Sequence, residues 1–166
     1  MAMRKKKAAK GKAKKAAKRA PAKKKAARRK TAAKRPDPAA ALAAFARKIV
    51  KVTQGGGDFL ALYSPDIVSE EPTGEPMTGL AGLQEKAQGW EQMQEGVTWN
   101  AATVATDPRS GTIVIEWDCQ VKLRGGPTVP MKEVAIHRVK NGKIVWERYY
   151  YNPAALAPPA AEATTM

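Results

Sequence analysis

The sequence has little of the chemistry on which many small proteins depend. Its 166 residues contain one cysteine, Cys119, and one histidine, His137. A single thiol cannot close an internal disulfide, and no CxxC motif or Cys/His cluster offers zinc ligands, so we expect neither a metal nor a cofactor. The longest apolar run is far shorter than the roughly 18 residues that span a bilayer. We therefore expect no membrane segment, and the N-terminus lacks the apolar stretch of a secretory signal.

Acidic residues are absent from the first 36 positions, which hold 18 of the 30 lysines and arginines. Residues 37–166 hold the other 12 basic residues against 15 acidic ones, so the formal charges are +18 and −3. Residues 1–36 also lack leucine, isoleucine, valine and aromatic residues. Such a segment cannot bury enough apolar surface to offset its conformational entropy. We predict a disordered basic tail over residues 1–36.

The tail resembles the lysine- and alanine-rich tails of linker histones and bacterial histone-like proteins. Its charge favours DNA or RNA through counterion release, which binds without reading the base sequence. The absence of aromatic residues for base stacking agrees with non-specific binding. The predicted contacts are Lys5, Lys6, Lys7, Lys14, Lys15, Lys23, Lys24, Lys25, Arg28, Arg29 and Lys30. We expect a cytoplasmic, nucleoid-associated protein, nuclear in a eukaryote; the alternative is a solubilising extension without a dedicated partner.

From Asp37 to residue 153 the pattern predicts one α+β domain, followed by a frayed Pro- and Ala-rich C-terminus at 154–166. Apolar spacing predicts helices over residues 37–52, 58–63 and 80–95, with a brief strand at Ile67 and Val68. Four long strands follow, at 97–106, 112–123, 128–140 and 143–151, and Asn141-Gly142 marks a hairpin. We expect three helices packed on one face of a curved antiparallel sheet, with a cavity between them. The apolar outer face of that sheet is a candidate interface.

Two segments carry a family resemblance. LYSPDIVSEEPTGEPMTG, residues 62–79, is similar to the pattern LYADDxxxEDPxG, and NGKIVWERYYYNP, residues 141–153, to dGKIxxxxxYyDP. Both patterns belong to the nuclear transport factor 2-like superfamily, the SnoaL-like and ketosteroid-isomerase-like group. The resemblance covers about residues 40–153. It implies a cystatin-like cone, a deep pocket for an apolar small molecule and a homodimer formed through the sheet.

The resemblance places the carboxylate base of the ketosteroid isomerases at Glu71. Their oxyanion hole uses a tyrosine and an aspartate, and the matching positions hold Lys48 and Ala135. Loss of one oxyanion donor typically slows such a reaction by about 10²–10³-fold. The resemblance therefore does not extend to steroid isomerase activity.

Two other branches of the superfamily also match in part. The limonene epoxide hydrolase-like enzymes use an Arg-x-Asp on the middle strand and a second acid near the end of the chain. Here Glu116 stands in place of the arginine and Tyr149 in place of the second acid, whereas Asp118 matches the aspartate. The SnoaL-type cyclases use a pocket acid or base, a role open to Asp118 or His137. Each of these residues also has a non-catalytic interpretation. His137 would be a buried structural histidine, Glu71 a solvated acid at the end of a strand, and Asp118 part of a polar face that points to water.

The candidate catalytic residues are thus Glu71, Asp118 and His137. The candidate pocket residues are aromatic, and their alternative role is packing in the core or a dimer: Tyr63, Trp90, Trp99, Trp117 and Tyr149. We expect a dimeric domain that binds a small molecule or serves as an assembly module, tethered to nucleic acid by the tail. The alternative is a proton-transfer isomerase, cyclase or epoxide hydrolase-like enzyme with Glu71 as general base.

Overall fold

The computed structural model describes residues 37–157; the predictions for the basic tail, its nucleic-acid contacts and the end of the chain from residue 158 lie outside this range. The elements are helix α1 (Pro38–Thr53), a 3₁₀ turn (Leu60–Leu62), strands β1 (Tyr63–Glu70) and β2 (Met77–Thr78), helix α2 (Gly79–Met93), strands β3 (Gln94–Asp107), β4 (Thr112–Leu123), β5 (Thr128–Lys140) and β6 (Lys143–Tyr150), and a 3₁₀ turn (Pro153–Leu156). The strands form one sheet in the order β2-β1-β6-β5-β4-β3. Strands β1 and β6 are parallel, and the other pairs are antiparallel.

The predicted α+β class is confirmed, but the helix count is not. The described residues contain two α-helices, and the expected second helix is only the 3₁₀ turn Leu60–Leu62. Tyr63 already begins β1, whose parallel pairing with β6 draws the chain into extended conformation. Strand β1 is consequently eight residues long, and the brief strand expected at Ile67 and Val68 is its central part.

Helix α1 begins as its sequence predicts. Asp37 caps it by accepting a hydrogen bond from the backbone N–H of Ala39 at 3.2 Å, and Pro38 occupies the first turn. Leu42, Ala46 and Ile49 recur at helical spacing and are buried. This stripe lies in the same core as the inner face of the sheet, which positions α1 over one wall of the domain.

Strand β4 decides which face of the sheet is the inner one. Its alternating residues are all buried, and they are Ile113, Ile115, Trp117, Cys119, Val121 and Leu123. The intervening side chains make polar contacts on the opposite face, where Glu116 accepts a hydrogen bond from Thr103 Oγ1 at 2.9 Å. The period-2 alternation of a strand therefore separates an apolar inner face from a mixed outer face, as the sequence predicts.

Arg124 closes the C-terminal end of α2. The helix passes directly into β3 through Gln94, which is extended, so no glycine cap satisfies its last carbonyls. The Arg124 guanidinium donates hydrogen bonds to the backbone oxygens of Gln92 and Glu91, each at 2.8 Å, and of Gln94 at 3.0 Å. The loop between β4 and β5 thereby fixes the helix that lies over the sheet.

Replacement of Arg124 by alanine is expected to lower the free energy of unfolding by about 1–3 kcal/mol, because three helix-end carbonyls lose a charged donor. Urea unfolding followed by circular dichroism measures the change. Arg109→Ala is the matched control, since Arg109 lies in the exposed β3–β4 loop. Equal stability of the two variants would contradict this role of Arg124.

Candidate functional site

A cavity of about 550 Å³ is lined by the two α-helices and the inner face of the sheet. Its walls are mainly apolar and include Ile49, Val52, Leu62, Leu83, Trp90, Trp99, Trp117 and Met131. Polar side chains also line it, and these include Tyr63, Glu71, Lys86, Glu133, His137, Glu147, Tyr149 and Tyr151. An apolar cavity with a few convergent polar groups is the usual form of a small-molecule site.

A polar row crosses the inner face of the sheet on three neighbouring strands. The register places His137 of β5 opposite Glu147 of β6, and Glu147 beside Ser69 of β1. Ser69 Oγ donates to Glu147 Oε1 at 2.8 Å. His137 Nδ1 lies 3.2 Å from Glu147 Oε2, but the ring N–H does not point at that oxygen, so this contact is a close approach rather than a hydrogen bond.

Helix α2 adds a lysine to this row. The Lys86 ammonium forms an ion pair with Glu71, lies 3.2 Å from Ser69 Oγ and is 3.8 Å from Glu147 Oε1. It also lies 3.7 Å from the centre of the Tyr149 ring. The Lys86 and Glu71 side chains are 25% and 17% exposed, so water screens their charges only in part. Lys86 thus joins two carboxylates from different segments.

Glu147 is ionised despite its complete burial. Burial by itself raises the pKa of this carboxyl group, but the contacts with His137, Lys86 and Ser69 outweigh it, and the net pKa is lowered. An ionised carboxylate in this position needs all of its neighbours, because an unpaired buried charge is strongly destabilising. The row is therefore a coupled unit rather than a set of independent polar residues.

Glu133 lies in the same cavity without such support. Glu133 is 7% exposed, and its side chain forms no hydrogen bond or ion pair with residues 37–157. Burial raises its pKa from 4.5 to about 7; Lys86 opposes this shift, while the charges of Glu71 and Glu147 add to it. Glu133 therefore gains or loses its proton near neutral pH.

Two half-buried tyrosines, Tyr63 and Tyr149, supply neutral hydroxyl groups beside the row. Burial, followed by the negative charge of Glu147, raises the pKa of both Tyr63 and Tyr149 well above the ordinary value. The Tyr149 ring meets the His137 ring edge-on, with centres 6.2 Å apart. Both phenols stay protonated at physiological pH, so they can donate hydrogen bonds to a ligand oxygen.

The two adjacent acids at the end of β1 point to opposite sides of the sheet. Glu71 lines the cavity, whereas Glu70 lies on the outer face and accepts a hydrogen bond from Trp146 Nε1 at 2.8 Å. Arg148 also pairs with Glu70. Only one of the pair is therefore available for chemistry in the cavity.

The structure brings most of the predicted site residues together. Glu71 and His137 line the cavity, as do the predicted pocket residues Tyr63, Trp90, Trp99, Trp117 and Tyr149. The prediction that Asp118 is a catalytic residue of the cavity is corrected by its position on β4. Asp118 alternates with the inner residues of the strand and lies on the outer face, where it accepts a hydrogen bond from Lys132 Nζ at 2.8 Å. Lys48 is exposed on α1, whereas Ala135 lines the cavity. Asp118 therefore does not belong to the candidate site.

Four polar residues of the site are absent from the sequence prediction. They are Ser69, Lys86, Glu133 and Glu147. Two of them had a usable signal: Glu133 shares the alternation of Ala135 and His137, and Glu147 shares that of Tyr149. Lys86 follows Leu83 by three positions, which puts both on one helix face. No sequence rule, however, brings that helix face to the end of β1.

Residues 37–157 contain no group of three or more His, Cys, Asp or Glu side chains arranged to hold a metal ion. Within the same range, neither helix has both the length and the apolar character needed to cross a membrane.

A curved sheet with a lined cavity under its helices defines the nuclear transport factor 2-like class of folds. Solved structures similar to this chain include a proposed isomerase from Bacillus subtilis, with 18% identity, a TM-score of 0.61, and 72% of this chain and 91% of that chain covered. PrhC from Penicillium brasilianum has 13% identity and a TM-score of 0.62 over 72% of this chain and 85% of that chain. A proposed SnoaL-like polyketide cyclase from Mesorhizobium loti has 26% identity and a TM-score of 0.54, and the match covers 66% of this chain and 98% of that chain.

The profile of the SnoaL-like domain matches residues 41–147, and the chain belongs to this family. The predicted resemblance to the nuclear transport factor 2-like superfamily is thereby confirmed. No functionally curated protein matches the sequence. The activity must therefore be argued from the residues of the cavity, because this fold class carries many functions.

The raised pKa of Glu133 predicts a stability change with pH. Between pH 4.5 and about 7 the folded state holds a proton that the unfolded chain has released, so the contribution of Glu133 to the free energy of unfolding falls as the pH rises. The loss is on the order of 3 kcal/mol, because one pKa unit corresponds to about 1.4 kcal/mol. Glu133→Gln cannot ionise, so its stability relative to the wild type is expected to rise by this amount across the window.

Urea unfolding at about pH 4.5, 6 and 8 measures this difference. Glu116→Gln is the matched control, because Glu116 lies on the outer face and contacts Thr103. Parallel pH profiles for the wild type and Glu133→Gln would show that Glu133 keeps an ordinary pKa in the folded state.

Proposed function

We propose that the domain binds a small, mostly apolar carbonyl compound in its cavity and transfers a proton on it. The observation that carries this proposal is the Glu71–Lys86 ion pair, which faces the apolar cavity while both side chains are largely removed from water. A carboxylate base beside a cationic donor is the pair that enolisation requires. The membership in the SnoaL-like family agrees with a small-molecule function.

In the proposed reaction, Glu71 removes a proton from the carbon next to the substrate carbonyl. The C–H electron pair becomes the C=C bond of an enolate, and the carbonyl oxygen takes up the negative charge. Lys86 donates a hydrogen bond to that oxygen, and a neutral tyrosine such as Tyr149 can donate a second. In a substrate with a C=C bond between the β and γ carbons, the enolate is conjugated, and Glu71 returns the proton to the γ carbon. The C=C bond thereby moves into conjugation with the carbonyl group, which completes an isomerisation without a net change in charge.

The buried row has a positioning role in this proposal. Ser69 and Glu147 contact the Lys86 ammonium, and His137 lies against the other carboxylate oxygen of Glu147. Preorganised donors of this kind stabilise developing charge without reorganising during the reaction. Glu147 and His137 therefore act through Lys86 rather than on the substrate.

The reaction is tested by deuterium exchange. Wild-type protein in D₂O is expected to accelerate exchange at the carbon next to the carbonyl of at least one member of a panel of cyclic ketones and polyketide-like diketones, followed by NMR. Glu71→Gln keeps the size of the side chain but removes the base, so the accelerated rate should fall by about 10²–10⁴-fold. Glu116→Gln, altered on the outer face, is expected to keep the wild-type rate.

An exchange rate that Glu71→Gln leaves unchanged would remove Glu71 from the reaction. Binding of the ketones without exchange by the wild type would instead favour the second candidate function, a ligand-binding or assembly domain without catalysis. The cavity volume and its apolar walls support that second function equally well.

The outer face of the sheet supports a proposed homodimer. Val114 and Ile136 are direct cross-strand neighbours there, and Tyr150 is 49% exposed. Trp146 lies near Arg138 and Arg148 on the same face. A broad face of partly exposed apolar and aromatic residues is a suitable contact for a second copy of the chain.

The basic tail supports a second proposed activity, non-specific binding to nucleic acid. Residues 1–36 carry 18 positive charges and no negative charge. Eighteen uncompensated charges displace counterions from a phosphate backbone. Such a tail would tether the cavity domain to nucleic acid, in agreement with a nucleoid or nuclear location.

Removal of the tail is expected to abolish binding to nucleic acid. A gel-shift titration compares the full chain with one that starts at Asp37, on duplex DNA and on RNA at two salt concentrations. The affinity of the full chain should fall steeply with salt, because each neutralised phosphate releases a counterion. Equal binding by both chains would show that the tail does not make the contact, and it would refute tethering by the tail.

A further inference from the structure

The cavity has a second polar feature that the proposed proton transfer does not use. Glu133 faces the cavity from β5 with 7% of its surface exposed, and it has no hydrogen-bond or ion-pair partner among residues 37–157. Lys86, the lysine that lines the cavity, forms ion pairs with Glu71 and Glu147 but none with Glu133. A buried carboxylate without a partner is costly, and a bound cation would remove that cost.

Aromatic rings adjoin this carboxylate. Trp117 of β4 is the direct cross-strand neighbour of Glu133. Trp99 lies 5.5 Å from Trp117 between ring centres, and Trp90 lies 6.3 Å from Trp99, so three indoles form one continuous wall of the cavity. The faces of indole rings attract cations, and indole is the strongest of the aromatic side chains in this respect.

The overall charge of the cavity also favours a cation. Four glutamates line it, Glu71, Glu91, Glu133 and Glu147, against one lysine among the lining residues, Lys86, so the excess of charged groups is negative. Glu91 is exposed, so its charge is accessible to a ligand arriving from water. A field of this sign attracts a cation toward the cavity and repels an anion.

We infer that the natural ligand is an organic amine whose ammonium group binds between Glu133 and the tryptophan wall. The ammonium donates to the Glu133 carboxylate and lies against the indole faces, while the apolar body of the ligand fills the remaining volume. Burial raises the pKa of Glu133 to about 7 and Lys86 lowers it only in part, which agrees with this assignment because a bound cation would stabilise the ionised carboxylate. The inference rests on the cavity of the proposed function but not on proton transfer.

The inference is tested with two compounds of equal length, 4-phenylbutylamine and 4-phenylbutan-1-ol, by isothermal titration calorimetry at a pH near 8. The wild type is expected to bind the amine at least about tenfold more tightly than the alcohol. Glu133→Gln retains size and polarity but not charge, so it should lose this preference while it still binds the alcohol. Binding of the alcohol shows that the variant is folded and its cavity open.

Glu116→Gln is the matched control on the outer face of the neighbouring strand, and it is expected to keep the preference for the amine. Equal affinities of the wild type for the two compounds, no detectable binding of the amine, or a preference that survives in Glu133→Gln would each overturn the inference. A failed deuterium-exchange experiment alongside a clear amine preference would reject the proton transfer alone. An exchange reaction without amine preference would reject the amine site alone.

Discussion

The buried carboxylate of Glu147 is the constraint on which the site depends. It lies at the centre of the inner face, fully removed from solvent, and its charge is kept by Ser69, Lys86 and His137. Each of these partners comes from a different element: β1, α2 and β5. The carboxylate therefore links the parallel β1–β6 pair to the antiparallel meander and to the helix above it. Any change that moves one element against the others exposes a charge with no compensation.

This arrangement also determines what remains available to a ligand. Lys86 is committed to Glu71 and to the row, so its charge can assist a reaction at Glu71 but does not neutralise Glu133. The cavity consequently has two polar regions of different character. One is a compensated ion pair suited to proton transfer, and the other is an uncompensated carboxylate beside aromatic rings. The shared apolar walls allow one ligand to contact both regions.

The SnoaL-like domain accounts for the shape of the cavity but not for its chemistry. The match to the SnoaL-like domain accounts for the fold, whereas the resemblance to the ketosteroid isomerases puts Lys48 and Ala135 at the positions of the oxyanion donors. In the proposed reaction the cationic donor is instead Lys86 on α2, and the neutral phenols are those of Tyr63 and Tyr149. The proposed proton-transfer site thus combines Glu71, which the resemblance places at the position of the isomerase base, with donors that the known constellations do not contain.

The sequence by itself determined the class of fold and much of its detail. The bounds of β4 and β5, the Asn141-Gly142 hairpin and the start of α1 at Asp37 follow from local rules of alternation, turn chemistry and capping. The same rules place His137 and the aromatic residues on the inner face. They fail for the segment at 58–63, since pairing of Tyr63 with β6 overrides its helical tendency.

Only the tertiary structure decided which acids enter the site. Asp118 lies outside because Trp117 and Cys119 turn the other face of β4 inward, and Glu70 lies outside while its neighbour Glu71 lies within. Ser69, Glu147 and Lys86 meet through a parallel pairing and a helix position that are remote in sequence, separated by up to 78 residues. The charge state of a carboxyl group depends on such partners and on burial, and neither is a local property of the chain.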